Sequence, residues 1–452
     1  MTVAQATRLL DPLFATEAMR AVFSDRGRVQ GMLEFEAALA RAQARLGMIP
    51  GACAESIAAE CGTEAFDFEA LAKETALAGN PAIPLVRALT ARVAARSEEA
   101  ARYVHWGATS QDAMDTGLVL QLRQAIELIE HDLDALSSTL AALAEKHQRT
   151  PLAGRTWLQQ APPVTFGLKA AGWLSAIGRH CVRLRALEPR LLAVQFGGAA
   201  GTLASLGSRG VEVGEALAAE LKLAMPALPW HAQRDNVAEF AAALGLLGGT
   251  LGKIARDVSL LAQNEVGEAR EPDAPGRGGS STLPHKRNPV GCAVALAAAT
   301  RLPGLVSTML AAMVQEHERA LGAWHAEWET LPEICLLAAG ALAHMRQVLA
   351  GLEIDPARMR ENLDLTRGLI LAEAVTMALG ARIGRLPAHR LVEQACRRAV
   401  GEGRHLRDVL AEDARVREHL AGAELDRLFD PTAYLGAAEQ LVARALASRG
   451  EA

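Results

Sequence analysis

Residues Gly276 to Pro289 read Gly-Arg-Gly-Gly-Ser-Ser-Thr-Leu-Pro-His-Lys-Arg-Asn-Pro, and several of these residue types are natural anion ligands. Glycines near the start allow positive φ and let the backbone approach a bound group closely. The adjacent hydroxyls of Ser280 and Ser281 are followed by Lys286 and Arg287, so amides, hydroxyls and cations can converge on a carboxylate. Asn288 is a good N-cap and Pro289 a good first helical residue. Lys286 and Asn288 are therefore expected at a helix N-terminus, where unpaired N–H groups and the dipole favour negative charge. The same composition also suits a flexible surface linker with a basic tail, and the loop alone does not choose between the two.

Two other polar stretches stand out: Tyr103-Val104-His105-Trp106-Gly107-Ala108-Thr109-Ser110-Gln111-Asp112 and Gly154-Arg155-Thr156-Trp157-Leu158-Gln159-Gln160-Ala161-Pro162-Pro163. Each lies at the end of an expected long helix. Thr109 and Ser110 serve either as helix caps or as ligands for an acidic substrate. Arg155 and Thr156, ahead of a helix expected to open at the prolines, carry the same two readings. His105 is either a packed, hydrogen-bonded ring or a polar substrate contact.

The elements that must hold these loops are helices. Ala and Leu abound, while only two tyrosines occur among 452 residues, a balance that favours an all-α fold. Leu122, Ile126, Ile129, Leu133, Leu136, Leu140 and Leu143 recur at alternating four- and three-residue steps, as in a coiled-coil seam. Val237, Phe240, Leu244, Leu247, Leu251, Ile254, Val258 and Leu261 form a second seam. Further helices are expected over Glu17–Leu46, Pro163–Leu187, Pro289–Val314 and Leu331–Leu352. Two prolines interrupt Ala78–Pro84, and after Asp355-Pro356 the helices shorten, with breaks expected at Gly380, Gly384 to Pro387, and Gly401. This divides the chain into an N-terminal helical domain over 1–111, a central long-helix bundle over 112–355 and a C-terminal helical domain over 356–452. Thirty helical residues reach about 45 Å, so the flanks of the long helices are expected to pack against other copies of the chain. A bundle satisfied within one chain is the alternative.

Bulk properties narrow the function. A net charge of −5 gives no general attraction for nucleic acid or an anionic membrane, so any acidic ligand must meet locally placed cations. Six scattered cysteines form no CxxC pair and no zinc-like spacing with histidine, so they read as reduced packing residues, with no metal expected. Met1 to Leu10 lacks the basic and apolar regions of a leader, and Leu191–Ser208 is too polar and glycine-rich to span a membrane. A soluble, cytoplasmic protein is expected.

Gly-Ser-Ser-Thr-Leu-Pro-His-Lys-Arg-Asn-Pro resembles the signature of the fumarase/aspartase superfamily, GSSxMPxKxNP, with Leu283 where methionine is usual. His105 to Asp112 is similar to that family's HxGxTSxD segment, and Arg155 to Ala161 to its RTH segment, in the same order. The resemblance implies a three-domain helical fold and a cofactor-free homotetramer. In it the central helices would join in one twenty-helix core, and each active site would draw loops from three subunits. It also implies proton transfer at a carbon next to a carboxylate, through an aci-carboxylate intermediate. On this footing Ser280 matches the acid/base serine and Lys286 the cation that favours its alkoxide. His105, Thr109, Ser110, Arg155, Thr156, Trp157, Gln160, Ser281, Arg287 and Asn288 match positions that meet the substrate.

The departures matter as much. Trp157 follows Thr156 where lyases acting on adenylosuccinate or argininosuccinate have histidine, and Gln160 occupies the next histidine position. Tryptophan cannot exchange a proton, so the resemblance points to a branch of the superfamily whose members lactonise an unsaturated tricarboxylate. A carbon–nitrogen lyase and a non-catalytic binding protein remain as alternatives.

Overall fold

The computed structural model describes residues 9–449, and most of Met1–Leu10 lies outside them. The described chain is dominated by helices, with only two small two-stranded sheets. Six helices organise it: α1 (Asp25–Arg45), α2 (Ser110–Lys146), α3 (Phe166–Leu191), α4 (Asp235–Leu261), α5 (Val290–Ala312) and α6 (Ala323–Ala350).

The seams read from the sequence are buried. On α4 all eight residues from Val237 to Leu261 are buried, and on α2 Leu122 through Leu140 are, with Leu143 half-buried. Each fully buried side chain of this kind contributes about 2 kcal/mol. The helix expected over Glu17–Leu46 is broken at Ser24, which adopts extended backbone and accepts a hydrogen bond from the Gly27 amide at 3.0 Å to open α1. α6 begins earlier than expected, at Ala323. In the C-terminal region a helix stops at Gly384 (φ 85°), as expected, but the next runs through Gly401 to Gly403 (φ 64°), and no break falls at Gly380. A helix ends where a residue can take up positive φ, and the nearby glycines at 380 and 401 stay helical.

The described chain divides into two compact units. The first comprises the residues up to Leu133, His180–Gly252 and Val294–Ala343. Its core includes Phe35, Leu39, Leu85, Leu89, Val213 and Leu217. A buried polar knot stiffens it: the Arg234 guanidinium meets both oxygens of Asp115 at 2.7 and 3.1 Å and also Glu327, and Trp324 donates to Asp115 at 3.2 Å. The second unit comprises Asp134–Arg179, Lys253–Ala293 and the residues from His344 on. There Val375, Leu379, Leu391, Leu406 and Val416 form one apolar cluster, and Ala153 packs with Leu363, Ile370 and Leu371 in another.

The second unit also holds the largest local departure from expectation. Pro163 does not open a helix but lies in β2 (Gln159–Thr165), paired antiparallel with β1 (Pro151–Thr156). The turn between them is Trp157-Leu158, with φ of 52° and 62°, the mirror-image geometry that matches strand twist in a two-residue hairpin. Neither residue is a usual choice for positive φ, so propensity rules do not find this turn.

Candidate active site

In the first unit, the segment from His105 to Asp112 is a turn running into α2. Asp112 organises it. Its carboxylate accepts hydrogen bonds from the amides of Thr109, Gly197 and Gly198 at 3.0, 3.0 and 2.9 Å, and meets His231 Nε2 at 2.7 Å. The Thr109 carbonyl in turn accepts the Asp112 amide at 3.0 Å, so backbone and side chain bond reciprocally in the manner of a capping box. Thr109 thus begins the helix through its backbone and keeps its hydroxyl for another partner, Arg319, at 3.2 Å. Gly107 has φ of 81°, and a Cβ there would lie 2.5 Å from Leu206, so the tight passage needs glycine. His105 is itself at φ 58° and faces Glu36, Nδ1 to Oε1 at 2.5 Å.

Arg319 and Glu36 were not foreseen. Arg319 donates to the Gln111 side chain at 3.0 Å and to the Ala199 carbonyl at 3.2 Å as well as to Thr109, giving this unit a cation on the Thr109 hydroxyl. The polar run Glu316-His317-Glu318-Arg319 between two apolar helices was the signal that could have found it.

In the second unit, Arg155 on β1 makes a two-pronged pair with the buried Glu268, at 2.9 and 2.7 Å. Asn362 donates to the same carboxylate at 2.8 Å, and its carbonyl accepts from Gln160 at 2.9 Å. Arg155 and Gln160 therefore belong to one brace across the hairpin. Thr156 is exposed near its tip, and Trp157 is 98% exposed.

The loop from Gly276 to Asn288 closes on itself. The Asn288 amide and side chain both donate to the Gly278 carbonyl, at 2.9 and 3.0 Å. Gly278 sits at φ 66°, and a Cβ there would come within 2.5 Å of the Asn288 carbonyl. Asn288 thus closes the loop neck and is not the cap of α5. The cap is Glu271, whose carboxylate accepts from the Gly291 and Cys292 amides at 3.1 and 2.7 Å. Proline at 289 has no amide to offer, so a carboxylate from outside the helix reaches the next donors along. Arg277 adds a contact to Glu271 at 3.3 Å, and Arg287 bonds the Glu271 carbonyl at 2.8 Å and Glu353 at 3.0 and 2.7 Å. Among Arg155, Lys286 and Arg287, the exposed Lys286 is the cation left without a carboxylate from this chain among the described residues.

The half-buried Ser280 Oγ accepts from two amides ahead of it in the chain, Thr282 at 3.3 Å and Leu283 at 3.0 Å. Two aligned N–H donors favour negative charge on that oxygen, which is what a serine must have to act as acid and base. Ser281, next to it, is exposed.

A family model described as "Lyase" matches residues 14–304, and one described as "Adenylosuccinate lyase C-terminus" matches residues 368–445. The chain belongs to this lyase family. The superfamily signature spanning Ser280, Lys286 and Asn288 is accordingly that of a true member. A relative named 3-carboxy-cis,cis-muconate cycloisomerase from Pseudomonas aeruginosa is 63% identical over 99% of this chain and 97% of its own. A protein of the same name from Bradyrhizobium diazoefficiens is 54% identical, covering 97% of this chain and 98% of the relative. The crystal structure of 3-carboxy-cis,cis-muconate lactonizing enzyme from Pseudomonas putida superposes with a TM-score of 0.94 at 58% identity, over 98% of this chain and 99% of that one. The lyase fold is thus shared over nearly all of the described residues.

Proposed function

We propose that this lyase-family chain is a cycloisomerase that lactonises 3-carboxy-cis,cis-muconate to 4-carboxymuconolactone, a step in protocatechuate breakdown. The observation that carries the reading is Ser280, its Oγ held by two loop amides in a loop that also carries Lys286. One substrate carboxylate attacks the neighbouring double bond and forms the lactone C–O bond. The π electrons move onto the second carboxylate, giving an aci-carboxylate, and the Ser280 hydroxyl then delivers its proton to the α-carbon. The alkoxide left behind is stabilised by the Thr282 and Leu283 amides and regains a proton from solvent. No leaving group needs an acid, which accords with Trp157 standing where nitrogen-releasing members have histidine.

The other contacts follow from charge. A tricarboxylate needs several donors, and in an active site shared between subunits Lys286, Thr109, Ser110 and Arg319 are the ones proposed to supply them. His105, Thr156, Trp157, Gln160 and Ser281 are the further substrate contacts of that shared site, and Arg155, Arg287 and Asn288 contribute there or hold the loops that do. Self-association as a homotetramer with shared active sites is part of the proposal, as is the three-part division at 1–111, 112–355 and 356–452. Only 33% of the most apolar stretch of α5 is buried, leaving Leu310 exposed at its end, which supports a partner helix there. The enzyme is soluble and cytoplasmic in this reading.

The second reading is a carbon–nitrogen lyase, favoured by the adenylosuccinate-type C-terminal match. Incubation with 3-carboxy-cis,cis-muconate and, separately, with adenylosuccinate separates the two. Loss of muconate absorbance that is abolished in Ser280→Ala with the oligomer intact is expected; fumarate release in place of it would overturn the cycloisomerase reading.

A further inference from the structure

Glu36 is a charge in an apolar setting. Its neighbours on α1, Met32, Leu33, Phe35, Leu39 and Ala40, are all at most 2% exposed, and Glu36 itself is 2% exposed. One carboxylate oxygen meets His105 Nδ1 at 2.5 Å, and the other is buried with no hydrogen-bond partner. Burying a carboxylate this way is unfavourable unless a cation faces it.

His105 is held to receive it. Its φ of 58° is rarely adopted by a residue with a side chain. The next carbonyl along, that of Trp106, is fixed by the Gln43 side chain at 2.7 Å, and Gly107 then passes tightly against Leu206. With Nδ1 committed to Glu36, Nε2 has no protein partner among the described residues, and the side chain keeps 17% exposure. A buried carboxylate, a strained backbone and one open ring nitrogen make an arrangement that core packing does not require.

We infer that Glu36 is a positioning residue that keeps His105 as an imidazolium, so that its Nε2–H is a charged donor for one carboxylate of the substrate. The inference rests on the cycloisomerase reading for the identity of that substrate and on the first unit alone for its geometry. The charged groups facing the ring are Glu36 from α1 and Asp112 from the first turn of α2. Asp112 is itself bonded to His231, and the nearby cation Arg319 is engaged with Thr109 and Gln111. Burial acts to lower the affinity of His105 for its proton, but Glu36, by charge and hydrogen bond, and Asp112 more than offset it, so the ring titrates above the ordinary histidine value. A tricarboxylate then meets a cation at a pH where a free histidine, with a pKa of about 6.5, is mostly neutral.

The test uses the full-length protein with 13C-labelled histidine, the His105 resonance being assigned by its loss in His105→Gln. In the wild type His105 is expected to titrate above the ordinary value, and in Glu36→Gln below it. In steady-state assays with 3-carboxy-cis,cis-muconate, Glu36→Gln is expected to raise KM at pH 7 by roughly ten- to hundredfold, the worth of one hydrogen bond to a charged group. The pH at which KM climbs should move down with the resonance, and kcat should fall much less. A wild-type His105 that titrates at or below the ordinary value overturns the inference without any variant, and so does a Glu36→Gln enzyme whose KM profile is unmoved. If the wild type turns over no muconate, the cycloisomerase reading and the substrate part of this inference fall, while the titration still decides whether Glu36 charges His105.

Discussion

Glu268 and Glu271 lie three residues apart, and each holds one arm of the second unit's candidate site: Glu268 takes the Arg155 guanidinium of the hairpin, and Glu271 caps α5 where the signature loop ends. Hairpin and loop thus hang from one short segment, which Ala269 and Arg270 tie into a small sheet with Ile354 and Glu353. Glu268→Gln is expected to lower stability by about 2 kcal/mol, because the neutral amide loses one hydrogen bond to a charged group. Chemical denaturation checks it, and an unchanged midpoint would count against the brace. Glu271→Gln should cost about 1 kcal/mol at the helix terminus and, more tellingly, speed proteolytic cleavage within 276–288.

Lys286 and Arg287 are adjacent, yet of the two only Arg287 is paired with a carboxylate among the described residues, that of Glu353. Lys286→Gln is expected to reduce kcat/KM by roughly a hundred- to a thousandfold, the range for losing one donor to a developing anion. Arg287→Gln should act mainly by loosening the loop and should cost less. Parallel kinetics of the two variants settle the order, and equal losses would contradict it.

Arg319→Gln removes the guanidinium that joins Thr109, Gln111 and the Ala199 carbonyl. A rise in KM of about tenfold or more is expected, since a charged donor near a polyanion strengthens binding. A KM within twofold of wild type would remove Arg319 from the site.

Arg234→Met leaves the Asp115 and Glu327 carboxylates facing each other in the core, where burial and then Asp115 already work to raise the Glu327 pKa against the pull of Arg234. A loss of about 3–5 kcal/mol is expected, the usual cost of stranding buried charge. Replacing all three by apolar residues of similar size should recover most of it, and thermal or denaturant melts of the two variants provide the comparison.

Lys169 supplies a prediction with a definite sign. Burial lowers its pKa; Asp257 and Glu268 oppose this, and Lys253 and Arg155 reinforce it. Below its depressed pKa the folded state holds an unfavourable ammonium, so Lys169 subtracts from stability there. That cost is relieved as pH rises from the depressed value toward the ordinary lysine value of about 10.4, because in this window the unfolded chain binds the extra proton. Lys169→Met is therefore expected to be more stable than wild type at pH 7, with the gain shrinking by pH 10. Denaturation at both pH values checks this, and a gain independent of pH would show that the ammonium is not the cause.

Periodicity was the most legible part of this protein. The seams on α2 and α4 could be read because side chains three and four residues apart share a helix face whatever else the chain does. The signature loop and the capping turn at Thr109 were legible for a related reason: glycine, serine, lysine and asparagine at those spacings limit what the local backbone can do. What could not be read was partnership. Nothing local distinguishes Arg155, paired with Glu268 113 residues away, from Lys286, which has no carboxylate partner among the described residues. Nothing local explains why Glu36 sits among apolar neighbours until His105 is seen against it. The Trp157-Leu158 hairpin lay equally out of reach, since it puts two residues in a conformation that their own propensities disfavour. Local sequence thus showed where most of the long helices run and which side chains were candidates for the chemistry. The tertiary structure decided which charges are spent on one another and which are left open among the described residues, because neutralisation depends on distances that only the folded chain sets.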